Sequence, residues 1–311
     1  MPVQSRWVQF KNFSGYLARG GPRIDQPVNP AMHVDRAVYL AGQLEAGSWG
    51  TVQSYDGCGM SGGILHNISV SPKDLSQGDF FSLLFTVSSR ATQAFAPIAA
   101  EFTRLGWKLT SDGKLRISAT GALVPGAAIR LEFSGATGGN VPKAGPDSLR
   151  AKAWAERFYN LFSLPVTYAA QSDFASAWLS AGNSSDEHEM YFDFMGQPQP
   201  PPDSIIGIPV SRLPPEIELA MCVYHAFSVN APGIAKAVLN PIVMSLRGQS
   251  NPDAAKTAAK LIRSLGTRRY GNWMDDPGDG SNRYDRTRLA VWARPDLWPA
   301  PMAKSLMPRD L

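Results

Sequence analysis

Cysteine is nearly absent. The 311 residues hold two, Cys58 and Cys222. A pair so far apart in a chain this long is no disulfide framework, so both are expected as free thiols. Long apolar runs are missing as well. No uninterrupted stretch reaches bilayer-spanning length, and Met1-Pro-Val-Gln-Ser-Arg-Trp7 has no apolar signal core. The expectation is cytoplasmic synthesis without a signal peptide, no membrane insertion, and delivery by other machinery if the protein acts elsewhere. Charge is sparse at 18%, and no Lys/Arg cluster stands out. The net charge of +4 favours an anionic partner without choosing one, and no nucleic-acid partner is expected.

Several chemistries lack their motif. His-Glu-x-x-His is absent, and the chain has only four histidines. Asp186-Glu-His-Glu189 therefore reads as a solvated acidic loop, and neither metal nor cofactor is expected. There is no Gly-x-Ser-x-Gly nucleophile elbow, and no Gly-Lys-Ser/Thr follows Gly135–Gly139 to make a phosphate loop. Arg283-Tyr-Asp-Arg-Thr-Arg288 reads as a salt-bridged surface loop or, second, as a holder of acidic groups of a glycan or stem peptide.

What the chain does have is a folding composition, 44% hydrophobic, with 28 Gly and 25 Pro marking many loops. Residues 1–30 read as irregular, broken at Gly20-Gly21-Pro22, Pro27 and Pro30. From His33 to Ala46 the spacing of Val34, Ala37, Val38, Ala41 and Leu44 predicts a helix, stopped by Gly47. Thr51–Tyr55 reads as a strand, Asp56-Gly57 as a hairpin turn and Met60–Ile68 as the return strand. Helix is expected at Leu75–Leu105, Ser148–Phe162, Gln171–Ala181, Pro214–Ser228, Gly233–Leu246 and Asp253–Leu265. Lys114–Ala119 and Ala128–Phe133 read as two strands of a β insertion at about 110–145, too short to bury a core of its own. Gly135–Gly145 and residues 271–311 read as loop, and Gln197–Pro202 as a break.

The segment Glu45 to His66 carries the candidate chemistry. Val34, Val38, Ala41 and Glu45 are spaced 4, 3 and 4 residues apart and share one apolar helix face. A carboxylate in the last turn of such a face meets desolvation and the negative end of the helix dipole. Both favour the protonated form that a general acid needs. The alternative is a surface glutamate at a helix end. Asp56 is either a turn residue for local reasons or a second carboxylate across a cleft, where it would stay ionised and orient water or stabilise a sugar cation. Ser61 stands on the return strand to hold that water. Gly59, Gly62 and Gly63 leave room for a polymer backbone, Trp49 and Tyr55 offer rings for sugar stacking, and His66 lines the cleft or is structural. Trp107 and Trp273 read as core.

Glu45, then Trp49-Gly-Thr-Val-Gln-Ser-Tyr-Asp56, then Gly59-Met-Ser61-Gly-Gly-Ile-Leu-His66 resembles the active-site region of phage-type lysozymes and endolysin-like domains. Trp154–Gln171, with Phe158, Leu161, Pro165 and Gln171, and Met190-Tyr-Phe-Asp193 look like their helical lobe. The specific match covers about 25 residues, with a longer Glu-to-Asp spacing and Ser in place of Thr. The resemblance implies a mainly helical α+β lysozyme-like fold, a helical lobe and a small β-hairpin lobe around a cleft, as a single catalytic domain over 1–311. It implies an N-acetylmuramidase cutting the β-1,4 glycan of peptidoglycan, with Glu45 the acid, Asp56 the water-positioning carboxylate and Ser61 the assisting hydroxyl. As a phage lysin or antibacterial effector it would reach the wall by phage or secretion machinery, and an effector would have an immunity protein. Chitosanases share the layout. A non-catalytic glycan-binding component of a phage or injection machine is the reading from another class.

Overall fold

Strands, not loops, open the chain. The computed structural model describes residues 4–9, 14–30, 33–54, 58–134, 146–180, 204–205, 208–209 and 297. Strands β1 (Gln4–Gln9) and β2 (Ser14–Arg19) pair antiparallel from Gln4↔Arg19 to Gln9↔Ser14. This corrects the irregular reading for residues 4–9 and 14–19; residues 20–30 are irregular as expected, apart from an isolated bridge between Arg23 and Ser48. The breakers at Gly20-Gly21-Pro22 end a hairpin and do not dissolve the segment before it.

Helix α1 (His33–Glu45) follows within one residue of its expected span. Val38 and Ala41 are buried as the periodicity requires. Arg36, Ala37, Tyr39 and Leu40 are buried too, so the helix is enclosed all round at its middle. Arg36 Nη1 donates to the Pro30 carbonyl at 2.5 Å, and Ser176 Oγ donates to Asp35 Oδ1 at 2.9 Å.

Strands β3 (Val52–Gln53), β4 (Ser61–Gly62) and β5 (Asn67–Ile68) complete a five-stranded antiparallel sheet ordered β1-β2-β3-β4-β5, with α1 inserted between β2 and β3. Val52 faces Gly62 and Ala18, and Gln53 faces Ser61 and Leu17. The expected return strand Met60–Ile68 is two strands. A turn interrupts it where Gly63 and His66 take left-handed backbones (φ +77° and +52°) and His66 N–H donates to the Gly63 carbonyl at 3.1 Å.

Helices α2 (Phe80–Arg90) and α3 (Thr92–Arg104) take up the predicted helical stretch from Phe80 on and break at Ala91, while its first residues, 75–79, are not helical. Strands β6 (Trp107–Leu109) and β7 (Leu115–Ile117) form a separate hairpin. Helix α4 (Gly126–Ser134) stands where a strand was expected at Ala128–Phe133. The Pro125 carbonyl accepts from Ala128 and Ile129 N–H at 2.9 and 3.1 Å and starts the helix. Ile129 and Phe133, four apart, are both fully buried, so core packing selects the helical period.

Helix α5 (Pro146–Phe162), a 3-10 turn at Pro165–Thr167 and α6 (Tyr168–Ser180) follow. Trp154, Phe158 and Phe162 recur every four residues and bury one face of α5. They meet Phe80, Phe102 and Phe133 in one aromatic cluster. Phe80 and Phe158 centroids lie 4.9 Å apart edge-on, and Trp154 and Phe158 lie 5.4 Å apart. Such pairs add about 0.5–1.5 kcal/mol each beyond burial. Strands β8 (Ser204–Ile205) and β9 (Ile208–Pro209) make a last short ladder.

The chain divides into two compact units, one of residues 1–24 and 45–174, the other of residues 25–44 and 175–311. The first holds the aromatic core, and its architecture is mixed helix and sheet. The helices expected at Pro214–Ser228, Gly233–Leu246 and Asp253–Leu265 lie outside the described residues. So do the Gly135–Gly145 loop, Gln197–Pro202, Asp186–Glu189, Met190–Asp193, Arg283–Arg288, Trp273, Cys222 and, apart from Leu297, the segment 271–311. Among the described residues no helix is long and apolar enough to cross a membrane.

Candidate functional site

Glu45 is the last residue of α1, and the chain leaves it through a clamped loop. Thr51 Oγ1 donates to the Ala46 carbonyl at 2.9 Å and shares a 2.8 Å hydrogen bond with Ser48 Oγ. Ile24 N–H reaches the Gly47 carbonyl at 3.4 Å, and Trp49 N–H reaches that of Pro22 at 3.2 Å. These bonds tie the helix end to β3 and to the segment after β2. Gly50 packs so closely on Tyr159 and Ser163 of the α5 end that a Cβ there would collide. The side chain of Glu45 lies outside the described structure, as do Tyr55 and Asp56.

Strands β3 and β4 bracket the segment that contains Asp56. Ser54 anchors its entry: Oγ accepts from Tyr16 N–H at 3.0 Å, and Ser54 N–H donates to the Tyr16 carbonyl at 2.9 Å. Ser69 anchors its exit, where Oγ accepts from Met60 N–H at 2.9 Å and donates to the Cys58 carbonyl at 2.7 Å. Cys58 is buried and forms no disulfide.

The remaining candidates are more enclosed than their sequence reading suggests. Ser61 on β4 is 1% exposed, between Gln53 and Ile68. Trp49 is buried, and one face of its indole stacks on Tyr168 with centroids 4.4 Å apart and planes 8° from parallel. That face is therefore taken by the protein's own ring. A Cβ at Gly62 would sit 3.0 Å from Val52 Cγ2 and 3.4 Å from rings of Phe80 and Phe162. At Gly63 it would run into Leu83 and lie 3.5 Å from Gln171 Oε1. In both places the room left by the missing side chain is filled from inside. His66 is half-buried at the end of the turn.

Sequence reasoning passed over Tyr168 and named Gln171 only as part of the helical lobe, yet both hold this geometry. Gln171, fully buried, donates Nε2 to the Phe162 carbonyl at 2.9 Å and to Thr167 Oγ1 at 3.2 Å, with Oε1 turned toward Gly63. Tyr168 covers Trp49 while its hydroxyl donates to the Ser163 carbonyl at 2.9 Å. Both lie more than a hundred residues from the hairpin they support, so no local pattern marks them. Trp107 packs against the aromatic core, as expected.

Among known protein families, curated proteins and solved structures, none matches this chain.

Proposed function

We propose that the protein is a lysozyme-like peptidoglycan hydrolase, a muramidase that cuts the β-1,4 glycan by general acid catalysis. The observation that carries the reading is the order of parts: a helix ending on Glu45, an antiparallel β3–β4 pair around the segment with Asp56, and Ser61 on the returning strand. Glu45 protonates the leaving oxygen. Asp56 stays ionised and directs water to the anomeric carbon or stabilises its positive charge. Ser61, inside the hairpin, orients the Asp56 segment and its water. Carboxyl groups about 6.5–9.5 Å apart give inversion, and about 5 Å gives retention. The enzyme acts on the wall after delivery by a phage or secretion machine.

The test is reducing-end release from purified peptidoglycan by wild type and by Glu45→Gln, with products identified by mass spectrometry. New reducing N-acetylmuramic acid ends from wild type are expected. Their yield should fall at least a hundredfold in the variant, the weight of a lost acid. Normal turnover by folded Glu45→Gln ends the assignment of the acid. Chitosan turnover with no action on peptidoglycan transfers the mechanism to another polymer. Capture by sacculi without release of ends makes the protein a glycan-binding component.

A further inference from the structure

Arg130 is the unexplained charge of this fold. It sits in the middle of α4, 8% exposed. Arginine is almost never buried to that degree without a partner, because a desolvated cation is costly. The other buried charge among the described residues of this unit, Glu132, follows the rule. Glu132 accepts from Arg150 Nη1 and from Trp154 Nε1, both at 3.0 Å. Arg130 and Glu132 are two residues apart on one helix, so their side chains leave opposite sides and Glu132 does not neutralise Arg130. No hydrogen bond or ion pair joins the Arg130 guanidinium to the described residues. Its Nε is shut off from solvent with no partner among the described residues, whereas the two Nη atoms are not shut off.

The position of Arg130 adds the second observation. Its backbone presses on the chain returning from the β3–β4 hairpin. A Cβ at Gly59 would fall 3.1 Å from Arg130 Cα, 3.6 Å from its Cβ and 3.1 Å from Ser69 Oγ. Ser69 is the residue that fixes Cys58 and Met60. The arginine stem is thus registered against the exit of the candidate catalytic hairpin, and Gly59 is three residues beyond Asp56 in the chain.

We infer that Arg130 is the anion-recognition residue of this site and that its outer guanidinium edge takes a carboxylate of the glycan substrate. The choice of polymer rests on the hydrolase reading above; the need for an anion does not. A guanidinium and a carboxylate meet through two parallel N–H···O bonds, and a site already desolvated and rigid loses little on binding. Two carboxylates are available on a wall polymer: that of the stem peptide, and the lactyl group of N-acetylmuramic acid where no peptide is attached. Neutral chitin fragments have neither.

The experiment is calorimetric binding of three probes, N-acetylglucosaminyl-N-acetylmuramyl-tripeptide, the same disaccharide without peptide, and chitobiose, to wild type, Arg130→Gln, Arg130→Met and Arg130→Lys. Thermal unfolding of each protein is measured alongside. At least tenfold weaker binding of an acidic probe by Arg130→Gln and Arg130→Met is expected, with partial recovery in Arg130→Lys and no change for chitobiose. Loss confined to the tripeptide probe assigns the stem-peptide carboxylate, loss confined to the peptide-free disaccharide assigns the lactyl carboxylate, and loss on both shows that Arg130 takes either. Arg130→Met should fold with an unchanged or raised Tm, since it removes an unpaired buried charge and keeps the apolar stem. A lower Tm in Arg130→Met, or equal binding of acidic probes by all four proteins, overturns the proposal. Wall hydrolysis that is indifferent to Arg130 sinks this inference alone. Arg130-dependent binding of acidic probes without hydrolysis sinks the hydrolase and leaves the anion site.

Discussion

At the scale of single residues, the hairpin depends on positions that no side chain or no other side chain can fill. Gly63 combines a left-handed backbone with a Cβ direction blocked by Leu83. Gly63→Ala meets backbone strain and overpacking together, and a loss of about 2–4 kcal/mol is expected in urea denaturation. Asp74 makes a different residue-scale prediction. The Ser76 backbone N–H and then the Ser76 hydroxyl donate to its exposed carboxylate and hold its pKa at about 2, against an ordinary 3.8. A depressed folded pKa adds stability above the ordinary value, and that stability is lost as pH falls from about 4 through about 2. A carbon-detected NMR titration should place the Asp74 midpoint near 2. In Ser76→Ala the midpoint should rise toward the ordinary value without reaching it, because the backbone donor remains.

At the scale of elements, side chains often do the work of a strand or a cap. Gln77 is the clearest instance. Its Nε2 donates to the Leu115 and Val124 carbonyls at 2.8 and 2.9 Å, and its Oε1 accepts from Leu115 N–H at 2.8 Å. The amide thereby continues the β6–β7 hairpin sideways on an edge that has no further strand among the described residues. Gln77→Ala removes three hydrogen bonds and leaves Leu115 N–H and the Val124 carbonyl without the amide, while the Leu115 carbonyl keeps Val124 N–H at 3.0 Å; the change should cost about 2–3 kcal/mol. Faster amide exchange at Leu115 would accompany that loss. The same segment shows why local patterns mislead. Ala128–Phe133 suits period 2 and period 3.6 alike, and only the depth of Ile129 and Phe133 in the core decides for helix. By contrast α1 and α5 were legible in advance, because their apolar spacing runs three turns or more.

At the scale of the whole molecule, the aromatic cluster carries the first unit. Phe158 stands at its centre, with Phe80, Phe133, Trp154 and Phe162 around it at centroid distances of 4.9 to 6.5 Å. Phe158→Ala should cost about 3–5 kcal/mol in chemical denaturation, and the hairpin should unfold in the same transition, since Gly62 lies on the rings of Phe80 and Phe162. A hairpin probe that melts separately would show that the core and the candidate site are independent.

Local chemistry settled a good part of this protein before any tertiary contact was known. Apolar spacing set the long helices and Gly47 set the end of α1, because each is decided within a few residues of chain. Strand was expected on both sides of Asp56-Gly57, and there β3 and β4 pair antiparallel. The order of Glu45, Asp56 and Ser61 belongs to that local record. The tertiary structure alone decided which face of Trp49 is covered, how deep Ser61 lies and that Arg130 is buried beside Gly59 with no partner among the described residues. Those outcomes depend on residues that meet across seventy or more positions, and burial and charge pairing are properties of such meetings rather than of neighbours in sequence.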